Sequence, residues 1–400
     1  MAVDEVVILG AARTPVGRLA GALAGVPAVQ LGAAVIAAAL ERASVRDAAE
    51  IDEVYMGNVV SAGLGQNIAR QCAIRGGVPE SVGASTINKV CGASLKTVML
   101  AAQAIRAADG DLYVCGGVES MSRAPYLVDG RSDQLRYGHS VLRDSLVVDG
   151  LWCAFEDSSM GQAAEYIADR FGVTRAAMDR YALCSHERAI AAQDTGRFDR
   201  EIVPITVPTR RSGPIVITQD ETPRRDTSLE ALGRLPPAFR PDGRVTAGNA
   251  PGLNDAAAAV VVASRRKAEA LGSVPLARVV GYSQVAVAPK DIFAAPADAI
   301  LRLLQRVGWT LPDVDLIELN EAFAAQVLAN GQALGAEGWN WNNVNVNGGA
   351  IALGHPLGAT GARMLTTLLF ALEERGLKRG IASLCLGGGE AVALAVERTF

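Results

Sequence analysis

Along this chain short apolar runs alternate with longer runs in which small apolar residues recur every three or four positions. The runs at 5–9, 53–56 and 111–115 read as strands, and those at 29–42 and 93–108 as Ala-rich helices. Such an alternation predicts parallel strands joined by crossover helices. The order returns after residue 272, with a strand at 276–280, a helix at 296–307, a strand at 314–319, a glycine-rich turn around His355, a helix to Glu374 and a strand at 381–386. Two stretches match across the copies: Ile51-Asp-Glu-Val54 with Val314-Asp-Leu-Ile317, and Val114-Cys-Gly-Gly117 with the segment around Cys385. The chain therefore reads as two copies of one fold.

Between the copies, 121–246 breaks the alternation with polar and Pro-containing clusters (Arg131-Ser-Asp133, Pro208-Thr-Arg-Arg211, Pro223-Arg-Arg-Asp226) around an amphipathic helix near 177–193. An insertion of this length exceeds what a compact domain carries as structureless loop, so a subdomain lying over the site is expected. The apolar run 256–264 then returns the chain to the first copy. This divides the chain into an N-terminal half (1–120 with 247–272), an inserted loop domain (121–246) and a C-terminal half (273–400).

Half of the residues are hydrophobic but only 5% are aromatic, and 42 are glycine, which suits a core of small aliphatics in closely spaced α/β layers. A net charge of −4 provides no overall basic field, so no nucleic-acid partner is expected, while local Arg clusters can still meet a small phosphorylated ligand. The apolar runs fall short of the roughly 20 residues a membrane helix needs. The N-terminus, Met1-Ala-Val-Asp-Glu5, enters a strand without a basic leader. Cysteines at 72, 91, 115, 153, 184 and 385 show neither zinc spacing nor a disulfide framework. We expect reduced thiols, a cytoplasmic location, no metal and no membrane partner.

Three segments set a reactive side chain among glycines: Asn88-Lys-Val-Cys91-Gly-Ala-Ser-Leu95, Gly354-His355-Pro356 and Cys385-Leu-Gly387-Gly-Gly389. Each follows an apolar, strand-like run, and the first two precede a helix, so all can meet at one sheet edge. Cys91 at a helix N-terminus is expected to have a lowered thiol pKa, the requirement of a nucleophile; a small buried hydrophobe is the plainer alternative. The other four cysteines lie in regular runs and keep that plainer reading. Pro356 holds His355 away from α geometry, where an imidazole can take the thiol proton near neutral pH or simply cap a helix. His186 and His139 read as packing or surface residues. Asn320 opens Asn320-Glu-Ala-Phe323 after a strand, as an N-cap or as an anchor for a water. Cys385 offers a second thiol for proton traffic, and the backbone around Gly387 can aim N–H groups at an oxyanion. Phosphate-loop, zinc-protease and Gly-x-Ser-x-Gly motifs are absent, and Gly63-Leu-Gly65 lacks the third glycine of a dinucleotide site.

These segments resemble the thiolase family over nearly the whole chain. The likeness rests on Ala11-Ala-Arg-Thr-Pro-Val-Gly17, Gly65-Gln-Asn-Ile-Ala-Arg-Gln71, Asn88-Lys-Val-Cys91-Gly92, Gly116-Gly-Val-Glu-Ser-Met-Ser122, Thr246-Ala-Gly-Asn-Ala250, Gly252-Leu-Asn-Asp255, Asn320-Glu-Ala-Phe323, Asn345-Val-Asn-Gly-Gly349 and Gly354-His-Pro356. The resemblance implies a five-layer αβαβα fold of two similar halves plus a loop domain that grips coenzyme A. It implies that Cys91 takes an acyl group from an acyl-CoA, that His355 deprotonates Cys91, and that Cys385 removes the α-proton of a second acetyl-CoA. Oxyanions would be held by the N–H groups of Cys91 and Gly387 at one place, and by His355 with a water on Asn320 at another. Arg224 would lie near the adenosine phosphates of CoA or be a solvated surface Arg, and Met160 and Phe323 would line the pantetheine and acyl pocket. Coenzyme A is then substrate and product, with no covalently bound cofactor, and a homodimer or homotetramer follows by analogy.

Three positions depart from the short-chain biosynthetic branch. Ser159 stands where that branch has His, Pro251 stands where it has a Ser that contacts the CoA amide, and Ala256 replaces a Gly. Altered pantetheine binding or a different acyl chain is the expectation. The reaction implied is the reversible condensation of two acetyl-CoA to acetoacetyl-CoA, or thiolysis of a 3-ketoacyl-CoA. The alternatives are a β-ketoacyl carrier-protein synthase, which needs a second active-site histidine, and a non-catalytic acyl-CoA-binding protein.

Overall fold

The computed structural model describes residues 4–128, 139–208 and 213–398. The predicted Arg131 and Arg210-Arg211 clusters therefore lie outside the described residues. In the first copy the elements are β1 (Val6–Arg13), α1 (Ala28–Arg42), β2 (Glu53–Gly57), α2 (Ile68–Arg75), β3 (Gly83–Ile87), α3 (Ala93–Arg106) and β4 (Leu112–Ser120). The insertion carries α4 (Met160–Arg170), α5 (Arg175–Asp194) and several two- and three-residue strand pairs. After it come β5 (Asn254–Ser264), β6 (Ala277–Ala286), α6 (Ala295–Val307), β7 (Leu316–Leu319), α7 (Ala324–Ala333), α8 (Thr360–Glu374), β8 (Arg379–Leu386) and β9 (Glu390–Glu397).

One mixed sheet runs β7-β8-β9-β6-β1-β5-β4-β2-β3. Read outward from the centre, the first copy is ordered first, fifth, fourth, second, third strand. The second copy repeats that order, and its third strand is reduced to the single bridge Ile317 to Val344. The copies join through two antiparallel pairs, Val7 with Arg278 and Ile8 with Ala277. Parallel pairing holds for β2 with β3 and β4 and for β7 with β8. The last strand of each copy is antiparallel instead. For β8 and β9 the reason is length, since the turn between Leu386 and Glu390 is too short for a crossover.

Side chains alternate faces along each strand, and this builds the five αβαβα layers. Val7 and Leu9 face the outer core under α1 and α2, whereas Val6 and Ile8 face the middle core with α3 and α8. In β9, Ala391, Ala393 and Ala395 pack under α6 and α7, and Val392, Leu394 and Val396 face the middle. Each fully buried Val, Leu or Ile among these contributes about 1.5–3 kcal/mol, and each Ala methyl about 0.8 kcal/mol. Helix α8 is buried on all sides from Thr360 to Leu372 because one half of the sheet lies on either side of its layer.

Two local expectations need correction. The run before His355 is not a strand: Ala350–Leu353 forms one helical turn, with the Gly354 N–H donating to the Ala350 carbonyl at 2.7 Å. Asn320 does not cap α7, which begins four residues later with Phe323 at its N-cap. The helix expected near 177–193 is α5, with Met178, Ala182, Ser185, Ala189 and Ala192 along its buried side.

Candidate active site

The two middle-layer helices bring the reactive residues together. Cys91 directly precedes α3, and His355 precedes the turn Leu357–Ala359 that leads into α8. The N-termini of these helices dock side by side, with the Ala362 N–H donating to Ser94 Oγ at 2.9 Å. The Cys91 loop meets the end of β8 just as closely. A methyl group at Gly92 would overlap Leu386 Cδ2, so only glycine lets the copies approach there. Val90, immediately before Cys91, has φ +46, an outlier for a β-branched residue that marks a constrained turn.

Cys91, His355, Cys385 and Gly387 line one cavity of about 270 Å³, together with Ser159, Met160, Pro251 and Phe323. On the Cys91 side its wall includes Met121 and Leu357, with Val60 and Leu146 packed in the same cluster behind them. On the Cys385 side the aromatic ring of Phe323 packs edge-on against Phe293 at 5.4 Å and Phe239 at 6.3 Å. The insertion covers the cavity: the π-helical turn Val147–Leu151, the hairpin of Trp152–Cys153 with Ser158–Ser159, and α4.

His355 is held at several points. Its backbone N–H donates to Asn254 Oδ1 at 2.8 Å, and Nδ1 lies 2.8 Å from Thr360 Oγ1. Thr360 gives its own hydroxyl proton to the Pro356 carbonyl at 3.0 Å, so it accepts from Nδ1–H and leaves Nε2 as the proton acceptor. Asn320 Nδ2 stands 3.4 Å from Nε2, while the buried Asn320 Oδ1 has no partner among the described residues. That pattern matches an anchor for water rather than a cap. Burial, assisted by the Arg363 charge, pushes His355 down to about 3, so the imidazole is neutral.

The thiols depart from expectation. Burial pushes Cys91 up to about 12, outweighing the N–H groups of Cys91 and Gly387 that point at its sulfur and pull it down. The helix N-terminus is present, but desolvation wins, and Cys91 rests as a thiol. Cys385 is pushed well above the ordinary range by burial and then by its neighbour Cys91, since two thiolates so close would repel. The turn after it holds Gly388 at φ +89 and Gly389 at φ +88, which only glycine adopts without strain.

Of the expected CoA residues, Met160, Phe323, Pro251 and Ser159 line the cavity. The Ser159 hydroxyl is engaged in capping α4, accepting from the Gln162 N–H and donating to Gln162 Oε1. Arg224 is exposed and outside the cavity wall, and its backbone N–H donates to His186 Nδ1 at 3.1 Å. His186 is thus a buried packing residue pushed down to about 4 by burial, and His139 is exposed. Thr360, Asn254, Met121 and Glu119 escaped the sequence reading. Glu119 and Asn254 sit inside the matched motifs, but neither carries a signal of its contacts. Among the described residues no group of three or more His, Cys, Asp or Glu is placed to hold a metal ion.

Residues 6–266 match a family model described as "Thiolase, N-terminal domain", and residues 273–398 match "Thiolase, C-terminal domain". An acetyl-CoA acetyltransferase of Pseudomonas aeruginosa is 52% identical over 395 residues, 99% of this chain and 100% of that protein. An acetyl-CoA acetyltransferase of Cupriavidus necator is 52% identical over 394 residues, 98% of this chain and 99% of that protein. The crystal structure of the Bacillus anthracis acetyl-CoA acetyltransferase superposes with a TM-score of 0.95 at 43% identity, covering 99% of both chains.

Proposed function

Because this chain belongs to the thiolase family, we propose that it joins two acetyl-CoA into acetoacetyl-CoA and CoA, and runs the reverse thiolysis, through an acyl thioester on Cys91. The observation that carries this reading is the single cavity lined by Cys91, His355, Cys385 and Gly387. Thiol and imidazole rest as a neutral pair, and the proton passes from Cys91 to His355 Nε2 as the sulfur attacks the thioester carbonyl. The N–H groups of Cys91 and Gly387 receive the oxyanion, each worth about 3 kcal/mol. The tetrahedral species expels CoA thiolate, which takes the Cys385 proton and leaves as CoA.

Acylation leaves Cys91 as a thioester that cannot ionise, so repulsion between two thiolates no longer opposes ionisation of Cys385. The Cys385 thiolate then takes the α-proton of the second acetyl-CoA. Protonated His355, with a water on Asn320, faces the enolate oxygen. The carbanion attacks the Cys91 thioester, Cys91 thiolate leaves, and the proton held on His355 returns to it. Met160, Phe323 and Pro251 flank the pantetheine arm, with Ser159 at the start of α4 and Arg224 reaching for the phosphates from outside the wall. Six unpaired cysteines suit the reducing cytoplasm. The outer edge of β3 and the exposed Val141, Leu142, Trp152 and Phe155 suit a homodimer or homotetramer, which sedimentation would measure.

The test is conversion of acetoacetyl-CoA and CoA into acetyl-CoA by Cys91→Ala, which is expected to fall by at least about 10³-fold, with iodoacetamide labelling Cys91 in the parent enzyme. Retained turnover overturns the reading. Condensation and thiolysis measured across acyl lengths assign the preferred substrate.

A further inference from the structure

Beside the reacting groups lies a buried carboxylate for which the proposed chemistry has no use. Glu119, at the end of β4, is fully buried, and its two oxygens accept four hydrogen bonds. Oε1 accepts from Asn58 Nδ2 at 3.0 Å and from the Val60 N–H at 3.1 Å. Oε2 accepts from the Val59 N–H at 3.1 Å and the Gly358 N–H at 2.9 Å. Three of these donors belong to the loop that follows β2. The fourth belongs to the other copy of the fold, in the turn three residues beyond His355.

That turn has no slack. A methyl group on Gly358 would stand 2.9 Å from Glu119 Oε2, and one on Gly117 would overlap the Gly358 carbonyl. The turn that carries the imidazole is therefore seated directly on the end of the N-terminal sheet. We propose that Glu119 is a positioning residue for the thiolase reaction: its carboxylate ties the His355 turn to the Asn58 loop and so fixes the imidazole against Cys91. This rests on the reading of Cys91 and His355 as nucleophile and base.

Neither obvious replacement keeps the tie. A glutamine offers one oxygen and one NH₂, and in either orientation the NH₂ faces two N–H donors. An aspartate keeps the charge but is a methylene too short to reach both loops. Burial pushes Glu119 up to about 7 against the pull of its four donors, so at pH 8 it is mostly ionised, and that charge disfavours the thiolate of the nearby Cys91.

The experiment measures kcat and KM for acetoacetyl-CoA thiolysis together with peptide-resolved iodoacetamide labelling at pH 8 for the parent, Glu119→Gln and Glu119→Asp. Glu119→Gln is expected to lower kcat about 10- to 100-fold, as a misplaced base does, with KM within about twofold. Cys91 labelling is expected to speed up several-fold in Glu119→Gln and to stay at the parent rate in Glu119→Asp, although kcat falls in both. Cys115, fully buried in β4, reports loosening of the fold and is expected to stay unlabelled in both variants. Unchanged kcat in both variants overturns the proposal, as does a loss of kcat matched by labelling of Cys115, which would mean a purely structural role. A Cys91→Ala enzyme run in parallel separates the failures. If it still cleaves acetoacetyl-CoA, the acyl-enzyme reading falls; if it is inert while both Glu119 variants behave like the parent, only the role of Glu119 falls.

Discussion

At the end of β4 in the N-terminal copy stands Glu119; at the end of β8 in the C-terminal copy stands Cys385. Val54 pairs with Val114 in one half and Ile317 with Ile381 in the other, so Cys385 matches Val118, and Glu119 lies one residue further along on the opposite face of the strand. The loops beside them also correspond. Asn58 follows β2 and spends its Nδ2 on the Val118 carbonyl and Glu119. Asn320 follows β7 and turns its Nδ2 toward His355. One copy thus fills the location with a carboxylate saturated by four donors, which holds structure. The other fills it with a thiol that has few partners and is free to exchange a proton. The same strand end serves as an anchor or as a reagent according to which face its polar side chain takes and how many hydrogen bonds it is given there.

That contrast breaks most sharply at Cys385. Cys385→Ala is expected to slow condensation about 10²- to 10⁴-fold while Cys91 is still acylated by labelled acetyl-CoA, the departing CoA thiolate then taking its proton from solvent. Loss of both steps would mean that the two thiols do not divide the work. The paired asparagines come next. Asn320→Ala is expected to cost about 10²-fold in kcat with little change in denaturant midpoint. Asn58→Ala is expected to lower stability by about 1–3 kcal/mol, because Glu119 and the Val118 carbonyl lose a donor. Interchanged outcomes would refute the division.

The pH dependence of Cys91 alkylation in the free enzyme is a smaller, sharper probe. A thiol pushed up to about 12 holds a thiolate fraction that grows with pH, so the rate is expected to rise about tenfold per unit from pH 7 to 9.5. His355, at about 3, is neutral throughout, and no inflection is expected near 6.5. A plateau above an inflection at 6–7 would reveal a resting thiolate–imidazolium pair. The least effect is expected at Pro251→Ser, where one regained hydroxyl in the cavity wall should lower KM for acetoacetyl-CoA by about two- to tenfold. An unchanged KM removes Pro251 from the binding surface.

Much of the fold was legible because it is written locally. Alternation in the strands and small residues in the helices located most elements, though not α2, α4, α7 or β9, and the pairing of 51–54 with 314–317 anticipated the repeated strand order. The run before His355 misled because four small and aliphatic residues, Ala350 to Leu353, satisfy strand and helix patterns alike; a hydrogen bond from Gly354 back to Ala350 decides for the helix. Asn320 looked like a cap from its place after a strand, yet the chain makes a further turn before α7. Cys91 was expected to ionise easily because the helix N-terminus can be read from sequence, whereas the depth of burial that overrides it cannot.

Composition, periodicity and the motifs around Cys91, His355 and Cys385 suffice for an α/β chain with a repeated half and a thiol-based chemistry, since each depends on residues close in sequence. The contacts of Glu119 with Gly358, the unpartnered oxygen of Asn320 and the neutral resting state of Cys91 and His355 arise only when α3 and α8 dock between the two sheet halves. Hydrogen-bond partners and desolvation are properties of that assembled interior, and no local pattern encodes them.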